Sequence, residues 1–106
     1  MRHIQVVGTS KPQDFQVLSD GAPLNGSTWT IAIEFRLTGL SAAQLSGVSQ
    51  VTVAWLDAAL GKVRASGVEF LPLGTYYFRF VITDGSGKDA YADSDAGADE
   101  WRVVRV

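Results

Sequence analysis

The sequence predicts an all-β domain, an antiparallel two-layer β-sandwich of seven to eight strands. Three observations predict it. Apolar and polar residues alternate over strand-length segments, turn sequences separate these segments at short intervals, and 46% of the 106 residues are hydrophobic, which is enough to build a core. A chain of this length is typical of one domain, so residues 1–106 are expected to form a single domain.

The alternation is clearest in the segments Thr28–Thr38, Val51–Asp57 and Thr75–Thr83. In each of them every second residue is large and apolar, which places these side chains on one face of a strand. The residues predicted to be buried between the two sheets are Trp29, Ile31, Ile33, Phe35, Val53, Trp55, Tyr76, Phe78 and Phe80.

Weaker alternation predicts further strands within five other segments. These are His3–Val7, Phe15–Ser19, Lys62–Phe70, Lys88–Ala92 and Trp101–Val106. Glycine, proline, asparagine and aspartate are concentrated between the strands, as turns require. The predicted turns are Ser19–Ser27, Leu60–Lys62, Leu71–Gly74 and Asp84–Gly87.

One segment, Leu40–Gly47, departs from the alternation and favours a short helix. Ser41 is a candidate N-cap, and Gln44 stands three residues later, which completes a capping box. Gly47 is placed to end the helix. The alternative is a polar loop; either structure is long enough to carry the chain from one sheet to the other.

The spacing between Leu71 and Tyr76 predicts a tyrosine corner. In Greek-key sandwiches a tyrosine near the start of a late strand packs its ring into the core, and its hydroxyl bonds to backbone a few residues upstream. Gly74 suits the sharp turn into that strand. The aromatic residues that follow Tyr76 are therefore interpreted as core and not as a ligand platform.

Composition argues against several classes of function. The formal net charge is −2 and no basic run occurs, so nucleic-acid binding is not expected. No apolar stretch is long enough for a signal peptide or a membrane span, so we expect synthesis in the cytoplasm and no membrane partner. The chain has no cysteine, which rules out thiolate chemistry and disulfides within these residues, and no cofactor is expected.

The candidate catalytic and metal-binding residues are few. His3 is the only histidine, and its place in a weak strand near the first residue argues against a catalytic triad. The acidic segment Asp84–Glu100 could supply calcium ligands, but it lacks the spacing of an EF-hand, and the alternative is a solvated loop. The acidic residues concerned are Asp84, Asp89, Asp93, Asp95, Asp99 and Glu100. We therefore assign no catalytic, cofactor-binding or metal-binding residue.

The three tryptophans could form a sugar-binding platform. Trp29 and Trp55 lie on the apolar faces of their strands and are interpreted as core, whereas Trp101 follows the acidic segment and is expected to be exposed. The Gly-x-Gly of residues 85–87 is followed by no helical pattern, so it predicts a hairpin turn and not a dinucleotide site.

The order of these motifs resembles a family of phage proteins, the upper baseplate proteins, in their N-terminal immunoglobulin-like domain. The resemblance rests on an Asp-Gly-x-Pro turn, a long alternating strand, a Gly-x-Tyr strand and a Gly-Lys turn, and it covers Asp14 to Val106. It implies an immunoglobulin-like fold and a structural role in tail or baseplate assembly, within the virion if the gene belongs to a phage. The family's following region, which carries receptor-binding components, has no counterpart up to Val106.

The expected function is therefore non-enzymatic, with other phage structural proteins as partners. The alternative is an adhesion or carbohydrate-binding sandwich module, which an exposed aromatic pair near Trp101 or an occupied calcium site would favour. The segments His3–Val7 and Trp101–Val106 are apolar with few charges. A sheet edge built from such a strand needs cover, so a homo-oligomer or a virion neighbour is expected on at least one of them.

Overall fold

A computed structural model describes residues 2–19, 21–86, 89–94 and 99–105, with the backbone alone for 89–94. Nine strands and one α-helix occur among these residues. In chain order they are β1 (Arg2–Val6), β2 (Gln13–Ser19), β3 (Ala22–Pro23), β4 (Thr30–Phe35), α1 (Ala42–Val48), β5 (Thr52–Asp57), β6 (Lys62–Ser66), β7 (Gly74–Thr83), β8 (Asp89–Ser94) and β9 (Glu100–Val104). Single 3₁₀ turns follow β5, at Ala58–Leu60, and β6, at Val68–Phe70.

The strands form two sheets packed face to face, which confirms the predicted all-β sandwich. In the first sheet β7 pairs with β4 on one side and with β8 and then β9 on the other, and β1 pairs with β9. In the second sheet β6 lies between β2 and β5, and the short β3 pairs with β2. The end of β8 also pairs with β2, so the two sheets are joined at that corner. Among the described residues, every strand pairing is antiparallel except that of β1 with β9, which is parallel.

The strand count exceeds the prediction by one, because the two-residue strand β3 lies within the predicted turn Ser19–Ser27. The prediction for Lys62–Phe70 was wrong in its second half, since β6 ends at Ser66. Gly67 has a left-handed φ of 74°, which turns the chain out of the strand and into the 3₁₀ turn Val68–Phe70.

The predicted core is confirmed where it falls on the central strand β7. Tyr76, Phe78 and Phe80 are buried there, against Phe15 of β2 and Trp101 of β9. The other six predicted core residues pack against this core but are only partly buried. They are Trp29, Ile31, Ile33, Phe35, Val53 and Trp55. Among the described residues, β4 and β5 each pair with a neighbouring strand on one side only. The inward side chains of β4 and β5 are therefore covered by a neighbouring strand on that side and remain partly exposed to solvent on the other.

The helix α1 carries the chain from β4 in the first sheet to β5 in the second, as predicted. Its capping box is present: the Ser41 hydroxyl accepts from the Gln44 amide at 3.2 Å, and the Gln44 side chain accepts from the Ser41 amide at 2.9 Å. Gly47 does not end the helix, which continues to Val48. Instead it lets the helix approach the Phe70 carbonyl, which would lie 2.6 Å from a β-carbon at position 47.

The tyrosine corner is confirmed at the connection from β6 to β7. The Tyr76 hydroxyl donates to the Pro72 carbonyl at 2.7 Å, four residues upstream, while the ring lies in the core. Burial raises the pKa of Tyr76 above its usual value, and a hydrogen bond with Gln44 opposes this shift. The hydroxyl therefore remains protonated at neutral pH and keeps its donor role.

Replacing Tyr76 with phenylalanine is expected to lower the free energy of unfolding by about 1–3 kcal/mol, because the Pro72 carbonyl loses its buried donor. Urea denaturation of Tyr76→Phe measures the loss. Tyr77→Phe is the matched control, since the Tyr77 side chain is 48% exposed on the outer face of β7. Equal midpoints and slopes for Tyr76→Phe and the unmodified protein would show that the corner bond contributes nothing.

Candidate interaction surface

Among the described residues, the first strand, β1, is one open edge of the first sheet, and β4 is the other. The strand β1 runs parallel to β9, with Ile4 beside Arg102 and Val6 beside Val104. The strand β9 lies between β1 and β7, so the described strand residues of the segment Trp101–Val106 do not form a sheet edge. The sequence predicted an exposed edge at this segment or at His3–Val7, and that edge is β1.

A buried glutamine fixes β1 to the core. Gln5 is 2% exposed, and its side-chain amide donates to the Val68 carbonyl at 2.8 Å. Its side-chain oxygen accepts from the Trp101 indole nitrogen at 3.1 Å. Because both polar ends of Gln5 are satisfied, a polar residue points inward and the neighbouring residues Ile4 and Val6 point outward.

The outward side chains of β1 form an apolar strip on the surface. Ile4 is 59% exposed and Val6 is 44% exposed, and the half-buried Val104 lies beside Val6 in β9. We call Ile4, Val6 and Val104 the β1 strip. Single exposed aliphatic residues are ordinary, but adjacent ones along an open sheet edge are typical of a contact surface.

The charges at the start of β1 are not balanced. Glu100 Oε1 lies 3.3 Å from Arg2 Nε and 2.9 Å from Arg102 Nε, so two guanidinium groups share one carboxylate. Both arginine side chains are exposed, at 60% and 46%, whereas that of Glu100 is 22% exposed. Within this group of three described side chains, two positive charges face one negative charge.

The other edge strands carry features that discourage pairing with a further strand. The short β3 contains Pro23, which lacks an amide donor, and β5 has a register shift between Trp55 and Asp57. On β4 the outward Glu34 accepts from Arg79 Nε at 3.0 Å, which places an ion pair in the middle of that strand, whereas the ion pair of β1, Arg2 with Glu100, lies at its first residue. Among the described residues, β1 has neither a proline, a bulge nor a lysine between Arg2 and Val6.

The expectation that Trp101 is exposed was wrong. Its side chain is 0% exposed and its ring contacts those of Phe15, Phe35 and Phe78 at centroid distances of 5.4–5.9 Å. The reason is that β9 is an interior strand, with β1 and β7 on its two sides. The alternation of Trp101 and Val103 with Arg102 was the sequence signal for this burial.

His3 is held in place by contacts with residues of β2 and β9. Its Nε2 lies 2.7 Å from Gln13 Oε1, and its ring packs 4.7 Å from the Phe15 ring and 5.0 Å from the Trp101 ring, as centroid distances. The imidazole thus covers the aromatic core beneath β1 and acts in packing.

The acidic segment is described only in part. Asp84 caps its own turn, since its side chain accepts from the Ser86 amide at 3.0 Å and from the Ser86 hydroxyl. The described residues hold no group of three or more histidine, aspartate or glutamate side chains placed to bind one metal ion. Asp95 and the side chains of Asp89 and Asp93 lie outside the described residues, so the calcium alternative is not tested there.

The outer face of the first sheet has a shallow depression of about 330 Å³, lined by Glu34, Arg36, Tyr77, Phe78 and Arg79. Its charged groups already have partners: Arg79 binds Glu34, and the Arg36 guanidinium lies 5.6 Å from the centre of the Tyr77 ring. The depression therefore presents paired side chains and a cation stacked on an aromatic ring.

No helix in the described part of the chain is both long and apolar enough to cross a bilayer. Comparison with protein-family models, curated proteins and solved structures gives no significant match for this chain.

Proposed function

We propose that the protein is a non-enzymatic structural module of a phage or prophage tail or baseplate, and that it acts through protein–protein contacts. The observation that carries the proposal is the open β1 edge, where Ile4 and Val6 are exposed beside an unbalanced pair of arginines. A sandwich that works alone in water blunts such an edge, whereas a module of an assembly has it covered by a neighbour.

The resemblance to the upper baseplate family supplies the biological setting of the proposal. It follows the order of turns and strands from Asp14 to Val106 and implies assembly with other virion proteins. An exposed aromatic pair near Trp101, one of the two observations that would favour the adhesion or carbohydrate-binding alternative, is not supported at that residue, which is buried. We therefore put forward the assembly function alone.

The purified protein is expected to form a defined complex, either with itself or with a product of a neighbouring gene. Size-exclusion chromatography with light scattering, at micromolar concentration, measures the mass of the protein alone and in each mixture. A single Ile4→Lys replacement is expected to weaken the complex at least about tenfold, since it places a charge in the contact.

Leu56→Lys is the matched control, because Leu56 is 47% exposed on β5, an edge strand of the second sheet. This replacement is expected to leave the complex intact. A protein that stays monomeric and binds no product of its neighbouring genes would contradict the assembly function, and the binding-module alternative would replace it.

A further inference from the structure

We propose that β1 accepts an extended strand from a partner protein, which pairs antiparallel with the open edge of β1. The partner strand carries apolar residues opposite Ile4 and Val6 and an acidic residue opposite Arg2. This inference rests on the proposed function and specifies the partner of its assembly surface.

The open edge of β1 offers the amides of Ile4 and Val6 and the carbonyl of Ile4 to a further strand, whereas the Val6 carbonyl already accepts from the Thr9 amide at 3.2 Å. The Val7 amide donates to the Val104 carbonyl at 2.8 Å, so the amide of residue 7 points toward β9. Backbone amides alternate in direction along a strand, so those of Ile4 and Val6 point to the open edge. Antiparallel pairing is favoured because it is slightly more stable per residue than parallel pairing.

The side chains of β1 determine what the incoming strand must carry on each face. On the outer face it lies beside Ile4 and Val6, so apolar residues there remove exposed aliphatic surface from water. On the inner face His3 and Gln5 already fill the space over Phe15 and Trp101. Small polar residues therefore suit the alternate positions, as in other cases of strand addition.

The arginine pair sets the charge of the partner and argues against a second copy of this chain. An acidic residue opposite Arg2 would balance the two guanidinium groups that now share Glu100. In a two-fold antiparallel pairing of two β1 strands about Ile4, each Arg2 would instead face a valine, and four arginines would share two glutamates. Charge complementarity thus favours a different protein as the source of the strand.

The probe is a synthetic peptide, acetyl-Ser-Val-Thr-Val-Thr-Glu-Ser-amide, added to the full chain and followed by amide chemical shifts. In the antiparallel register its two valines lie opposite Val6 and Ile4, and its glutamate lies opposite Arg2. We expect the largest shifts at the amides of Ile4 and Val6. The peptide with lysine in place of glutamate is expected to bind about fivefold more weakly at low salt, an effect typical of one exposed ion pair.

Two variants separate the backbone contribution from the charge contribution. Val6→Pro removes an edge donor that the β9 pairing does not use, and the preceding Gln5 is already extended, so the fold tolerates it. It is expected to weaken the peptide at least about tenfold, whereas Val6→Thr, which keeps the amide, weakens it less. Arg2→Glu is expected to reverse the preference, so that the lysine peptide binds more tightly.

The inference is overturned if the shifts occur away from β1, if Val6→Pro binds the peptide as well as the unmodified protein, or if Arg2→Glu leaves the preference unchanged. A dimer of the chain alone that Val6→Pro dissociates would make a second copy the occupant and also overturn it. If a neighbouring gene product binds the unmodified protein and Val6→Pro equally, the assembly function stands and strand addition fails. If no such product binds and the chain alone stays monomeric, the assembly function fails by itself.

Discussion

Replacing Trp101 with alanine is expected to lower the free energy of unfolding by about 3–5 kcal/mol, the range for a buried tryptophan. The side chain is 0% exposed and lies among the rings of His3, Phe15 and Phe78, and its indole N–H donates to Gln5. The loss therefore combines a large cavity with an unpaired Gln5 oxygen. Urea denaturation, followed by far-ultraviolet circular dichroism, measures it.

A loss of this size can unfold a domain whose total stability is about 5–15 kcal/mol, so a milder variant is required. Trp101→Phe keeps an aromatic ring but removes the N–H, and it is expected to lose about 1–3 kcal/mol. The matched control is Tyr77→Ala, because Tyr77 is an aromatic residue of the adjacent strand that is 48% exposed. If Trp101→Ala were no more destabilising than Tyr77→Ala, Trp101 would not be a core residue.

Replacing Gly67 with alanine is expected to cost about 2–5 kcal/mol, the sum of a left-handed backbone for a residue with a β-carbon and an overpacked contact. Gly67 has φ 74°, and a β-carbon there would overlap the carbonyl oxygen of Gln50, which belongs to the backbone and cannot rotate away. The turn at Gly67 directs the chain from β6 toward the tyrosine corner, so the change also strains that connection.

Gly8→Ala isolates the backbone part of this effect. Gly8 has φ 78°, close to that of Gly67, but no atom lies within 4 Å of its β-carbon position. Its expected cost is about 1–2 kcal/mol, from the left-handed conformation alone. Denaturation midpoints of the two variants, compared at equal slope, give the clash energy as their difference. Equal midpoints would mean that the Gln50 carbonyl moves aside without cost.

The sequence by itself determined the features that depend on short-range spacing. Alternation with period two located the central strand β7, and the three-residue spacing from Ser41 to Gln44 located the capping box of α1. The spacing from Leu71 to Tyr76, with Gly74 two residues before the tyrosine, located the tyrosine corner. Each of these structures is formed by residues close in the chain, so local chemistry is sufficient to specify it.

The tertiary structure alone decided which strands are interior and which are edges. Trp101 is buried because β9 lies between β1 and β7, a parallel and an antiparallel neighbour that no local pattern identifies. Likewise Trp29 and Trp55 alternate as core residues should, but they are only partly buried because their strands have one paired neighbour each among the described residues. Burial depends on the whole set of neighbours, and these come from distant parts of the chain.

The candidate surface shows the same division most clearly. Polarity along β1 would place Ile4 and Val6 inside and Gln5 outside, and the structure has the opposite arrangement. The Trp101 indole and the Val68 carbonyl, 96 and 63 residues away in the chain, bond both ends of the Gln5 amide and remove the cost of burying it. The aliphatic side chains of β1 are left on the surface as a consequence, because side chains of successive strand residues point to opposite faces.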